Sequence, residues 1–201
     1  MWGLVESGSI TKLINNPKGL VVGDIRYSRK IFELWSKSEL EAIGIYEVVW
    51  DNTNKKDEGW YINTNVSYAF GSGKVTASYG SATAKAHADT LWTAQDEIDG
   101  KGTEGEVATR GLKYNLIRTV KQQAAGDLQN TDWYIVRKAD AGTAVPSAIT
   151  THRAAVRTKC AQMETAITNA ADTPALETLY TYTTTDGVQS RPLGELPTLE
   201  S

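Results

Sequence analysis

Cysteine is almost missing from this 201-residue chain. Cys160 stands alone, so no disulfide can form within the chain and no cysteine-rich metal site can assemble. Histidine is nearly as scarce. His87 and His152 lie far apart, without further His, Cys or acidic residues at the spacing a metal ion requires. An excess of positive charge is also lacking: the net charge is −3, and Lys and Arg are scattered among Asp and Glu. Neutralising a phosphate backbone needs clustered cations, so nucleic acid is not an expected partner. No stretch approaches the roughly 18 apolar residues that a membrane helix needs, and no membrane partner is expected. The opening Met1-Trp2-Gly3-Leu4-Val5-Glu6 lacks the basic-then-apolar order of a signal peptide. The expected setting is a cytoplasm, or a particle assembled in one.

Motifs of catalysis are missing as well. No Gly-x-Ser-x-Gly elbow occurs, and Cys160 falls on the apolar side of its helix, where a small buried hydrophobe is expected. Gly71-Ser72-Gly73 and Gly100-Lys101-Gly102 lack the rest of any phosphate loop and read as turns. Asp96, Glu97 and Asp99 crowd a helix end beside a turn, which suits a solvated surface better than a glycosidase pair. The expectation is a protein without enzymatic activity, metal or cofactor.

What the chain does contain is order of two kinds, giving an α+β expectation. Residues 1–80 read as an antiparallel β-rich domain with one short helix. Trp2 to Val5 and Ile10 to Ile14 flank Glu6-Ser7-Gly8 as a hairpin. A helix over 37–43 has capping-box spacing in Ser36 with Glu39 and again in Ser38 with Glu41, and Gly44 stands where a left-handed residue ends a helix. Strands follow over 45–52 and 59–70. In the second, Trp60, Ile62, Val66, Tyr68 and Phe70 alternate onto one face. Gly71-Ser72-Gly73 then turns the chain into Val75, Ala77 and Tyr79, completing a meander.

Residues 81–181 are alanine-rich and read as a helical domain. A helix over 82–99 places His87, Leu91, Ala94 and Ile98 at 4-3-4 spacing. Thr103 with Glu106 opens a second helix, antiparallel to the first, that runs to about Ala125 with a wide apolar arc from Val107 to Val120. Trp133 to Val136 fits a short helix or a strand, and Ala139 to Pro146 a loop. A third helix over 148–171 carries Val156, Cys160, Met163, Ile167 and Ala170 on one stripe, edged by Arg153, Arg157 and Glu164. Thr173-Pro174 starts a last helix to about Tyr180. Residues 182–201 are polar and without period, and read as an extended tail that orders against a partner.

Two groups of residues invite a binding role. Trp60, Tyr68 and Phe70 form a candidate aromatic platform for sugar rings, although their sharing a face with Ile62 and Val66 favours a sheet core. Asp132, Arg153 and Arg157 form a candidate polar tie or docking cluster, with Asp132 placed to accept from either arginine. The stretch from Thr131-Asp132-Trp133 through Pro146 to Arg153 and Arg157 resembles a domain of unknown function common in tailed-phage tail and tail-fibre-assembly proteins. The opening Leu4 to Ile14 with Pro17, and Phe32 through Trp35 with Leu40 through Tyr46, resemble virion-associated proteins of marine phages. The resemblance carries no catalytic residues. It implies a structural component of the virion tail (adaptor, collar, baseplate- or fibre-associated), assembled in the host cytoplasm and forming a homo-oligomer around the tail with other tail proteins as partners. An assembly chaperone absent from the virion and a receptor- or glycan-binding module are the alternatives. The lack of internal repeats and long heptad runs counts against a fibre shaft.

Overall fold

In the computed structural model, which describes residues 1–199, Ser7 and Gly8 both adopt positive φ (51° and 77°). That conformation matches the twist of a two-residue hairpin turn and folds β1 (Trp2–Glu6) back on β2 (Ser9–Ile14). A second hairpin joins β3 (Leu20–Val22) to β4 (Ile25–Tyr27). After α1 (Ile31–Leu34) comes α2 (Lys37–Ala42), whose start is the Ser36–Glu39 capping box. Gly44 follows at φ +81, and a Cβ there would lie 2.5 Å from the Val5 carbonyl oxygen, so only glycine fits. The chain then enters β5 (Ile45–Asp51), β6 (Tyr61–Ile62), β7 (Ser67–Gly71), β8 (Lys74–Ser78) and, at the boundary of the first unit, β9 (Thr83–Ala84).

The chain forms two compact units, Met1–Thr83 and Ala84–Ser201. The first unit is built on a five-stranded sheet in the order β2-β1-β5-β8-β7. All its pairs are antiparallel except β5 with β8, which run parallel, Val48 opposite Val75. The meander expected over 45–79 is therefore interrupted, with β8 inserted between β5 and β7. Both faces of the sheet are covered. Leu4 and Ile45 pack with Leu20, Ile31 and Leu40, while Val5 and Val48 pack with Val75 and Ala77 on the other side. The single strand expected over 59–70 is two. Asn65 adopts φ +59 between them, and Tyr61 is buried while Ile62 is half exposed, so the alternation changes face within the stretch.

In the second unit the expected helix over 82–99 is mostly extended chain. It contains β10 (Thr90–Leu91) and only a short α3 (Ala94–Ile98), capped by Thr93 with Asp96. The reason lies downstream. The Ala86 and His87 carbonyls accept from the Leu112 and Lys113 amides, and the Asp89 carboxylate accepts from the Gly111 amide. Residues 86–89 thus satisfy amides at the start of the next helix, which no intrahelical carbonyl can reach, and cannot themselves be helical. That helix, α4 (Leu112–Gln129), begins later than the Thr103 start expected, because Val107 belongs to β11 (Val107–Thr109), paired with β10.

The Trp133 segment is helical, within α5 (Asp132–Ala141), and its left-handed end at Gly142 carries it into the expected loop. In α6 (Ser147–Asn169) the stripe from Val156 to Ile167 is buried as the spacing predicts. Helix α6 runs antiparallel to α4: Lys113 Nζ donates to the Thr168 carbonyl near one end, and Lys121 pairs with Glu164 further along. Asp172 caps α7 (Thr173–Tyr180), accepting from the Ala175 amide. The expected extended tail instead folds back. β12 (Thr183–Thr185) and β13 (Val188–Ser190) form a hairpin through Asp186 and Gly187, both at positive φ. Leu193 is buried, its amide bonded to the Leu179 carbonyl. Glu200 and Ser201, the last residues of that expected tail, lie outside the described residues.

Candidate functional site

Arg153 sits on the buried stripe of α6, between Ile149 and Val156, and not at its edge. A guanidinium taken out of water must be satisfied on several sides. Its Nη1 donates to the Leu128 carbonyl and to the Thr131 hydroxyl, both at 2.7 Å. Its Nη2 lies 2.8 Å from Asp132 Oδ1. The Thr131 hydroxyl in turn donates to the Leu128 carbonyl. One arginine thereby clamps the end of α4, the two-residue link and the first residue of α5. Asp132 and Arg153 are brought together, by a single contact rather than a fork. Arg157 is exposed and stands outside the cluster.

The clamp holds a helix that is otherwise barely covered. α5 has no buried residue, and Trp133, Ile135 and Val136 are 52%, 43% and 65% exposed. Four consecutive apolar residues, Trp133 to Val136, span every side of a helix, so some must face outward wherever the helix docks. That signal was available in the sequence alone. The Trp133 and Tyr134 rings are 3.9 Å apart between centroids, with the Arg137 guanidinium 4.6 Å from the Trp133 ring. Arg137 Nε is shielded from solvent and has no hydrogen-bond partner among the described residues.

The other sequence candidates lie elsewhere. Tyr68 and Phe70 share β7 and pack with Val66 against the Val48–Val75 side of the sheet, Phe70 at 4.7 Å from the Tyr46 ring. Trp60 belongs to the turn before β6 and is not on that strand. The more exposed pair of rings in this unit is Trp50 with Tyr79, 5.1 Å apart, with Trp50 42% exposed.

His87 is half-buried in the extended segment beside α4, not on a helical stripe. His152 lines a hollow of about 270 Å³ with Asp127, Asn130 and the chain at Leu196–Leu199. Burial, then a contact with Glu164, pushes the Cys160 thiol above its ordinary range, which disfavours the thiolate. Among the described residues no group of three or more His, Cys, Asp or Glu could hold a metal ion, and no helix is long and apolar enough to cross a membrane. Compared with protein-family models, curated proteins and solved structures, the chain matches none.

Proposed function

We propose that the chain is a structural component of a bacteriophage tail, working through protein–protein contacts and residing in the virion. The observation that carries this reading is α5. Its first residue is clamped by buried Arg153, while Trp133, Ile135 and Val136 remain in solvent. A rigidly held helix with an aromatic and aliphatic surface suits docking against another protein, since such anchors concentrate binding energy when desolvated. The resemblance of residues 131–171 to tail-associated proteins falls on this same clamp and helix.

Quantitative mass spectrometry of gradient-purified particles from the parent phage tests the reading. A fixed small-integer ratio to the tail-tube protein supports it. Absence from particles with abundance in the lysate overturns it in favour of an assembly chaperone. Within particles, Trp133→Ser with Val136→Ser is expected to fold normally and to lose incorporation.

A further inference from the structure

The second unit carries two surface features of opposite character. The first is a knob. Ile98, at the end of α3, is 78% exposed, the most exposed large apolar side chain among the described residues. Residues 94–106 hold five acidic side chains (Asp96, Glu97, Asp99, Glu104 and Glu106) against one base, Lys101. Lys101 is spent on Asp96 and Asp99, at 3.0 and 3.1 Å. Glu97, Glu104 and Glu106 have no ion-pair partner among the described residues. Nor is the knob loose: the Thr93–Asp96 capping box starts α3, and the Glu104 amide donates to the Glu97 carboxylate.

The second feature is a hollow of about 480 Å³ along α4. Tyr114, Ile117 and Ala125 line it with apolar surface beside Arg118 and Lys121, the lysine being paired with Glu164. Residues 110–125 include four bases and no acid; Arg110 is paired with Asp89 and Lys121 with Glu164, which leaves Lys113 and Arg118 without a carboxylate among the described residues. The Arg118 guanidinium lies 6.0 Å from the Tyr114 ring centroid and has no carboxylate partner among the described residues.

We infer that the Ile98 knob of one copy of this chain seats in the α4 hollow of a second copy, with the acids around Ile98 meeting Arg118. An exposed apolar side chain among unpaired acids meets an apolar-lined hollow beside an unpaired arginine, and charge complementarity of this kind fixes partner and orientation. Knob and hollow are different parts of one surface, so the contact is heterologous. Repetition of such a contact closes a ring or extends a filament. The closed ring rests on the tail reading above, whereas the contact itself does not.

Sedimentation velocity and native mass spectrometry of the full chain test this. The wild type is expected to pass from a 21.9 kDa monomer to larger species as concentration rises, less readily at high salt. Ile98→Ser is expected to raise the midpoint concentration roughly tenfold or more, from the lost apolar burial. Arg118→Glu is expected to do the same by repulsion. Both sites are on the surface, and circular dichroism checks that both variants fold.

Mixing the two variants decides the geometry. The intact knob of Arg118→Glu fits the intact hollow of Ile98→Ser, so the mixture is expected to form a heterodimer and nothing larger. A wild type that stays monomeric at every concentration overturns the contact, as does assembly indifferent to both substitutions or a mixture without heterodimer. A monomer that is nonetheless found in purified particles overturns the contact and leaves the tail reading standing.

Discussion

The two units of this chain bury different kinds of group. In the first, every described residue that is buried is hydrophobic or glycine. In the second, Thr131, Arg153 and Thr173 are buried as well as the apolar residues of α6. The difference follows from how each architecture fixes its parts. A sheet sets the position of each strand through its backbone ladder, so the side chains need only be apolar and of the right size. Helix ends have no ladder between them. The start of α7 is held by the Thr173 hydroxyl on the Lys85 carbonyl, and the start of α5 by Arg153. Side-chain bonds to backbone carry out in the second unit what strand pairing carries out in the first.

The largest effects should come from the cores, where the units are alike. Ile45 and Ile167 are both fully buried, one on β5 of the sheet and one on α6. Each change to Ala is expected to cost about 2–5 kcal/mol. Hydrogen exchange should then show lost protection chiefly in the unit that carries the substitution. Equal loss in both units would break the comparison, since the two would be one cooperative structure.

The contrast itself sits in a middle range. Arg153→Met keeps the volume but removes three donor contacts and is expected to cost roughly 1–3 kcal/mol. Asp132 is 55% exposed, so Asp132→Asn should cost less than about 1 kcal/mol. Urea denaturation of the two variants sharpens the point. If Asp132→Asn costs as much as Arg153→Met, α5 is held by the ion pair and not by the bonds to Leu128 and Thr131.

What could be read from the sequence divides along the same line. Ser7-Gly8, the Ser36–Glu39–Gly44 sequence and the Thr173-Pro174 start act within a few residues, and the structure uses each of them. The α6 stripe was legible because burial along one long helix repeats with its period. Failures came where distant chain decides. His87, Leu91, Ala94 and Ile98 have helical spacing, but the Ala86 and His87 carbonyls are taken by α4, and β10 by β11. The parallel pairing of β5 with β8 likewise leaves no mark in either strand alone. At the clamp, the sequence offered Asp132 either Arg153 or Arg157, and the structure brings Arg153 to it. The depth of Arg153 was not readable, because an arginine beside an apolar stripe looks the same whether it points outward or finds carbonyls within.

The smallest effect concerns an exposed tie, and its sign is definite. The Thr93 hydroxyl, then Lys101 and the Thr93 amide, hold the Asp96 carboxyl down to about 2. In the unfolded chain it takes its ordinary value near 3.8. A carboxylate depressed by folding stabilises the fold above its unfolded pKa, and that contribution fades as pH falls through the folded one. The α3 cap should therefore be intact at pH 5 and weaken only between about pH 4 and 2. A side-chain NMR titration of Asp96 with the Thr93 amide as reporter measures it. A midpoint near 2 that moves upward in Thr93→Val would place the tie in the capping box. An unchanged midpoint in that variant would assign it to Lys101, and the rigidity of the Ile98 knob would then rest on the lysine bridging Asp96 and Asp99.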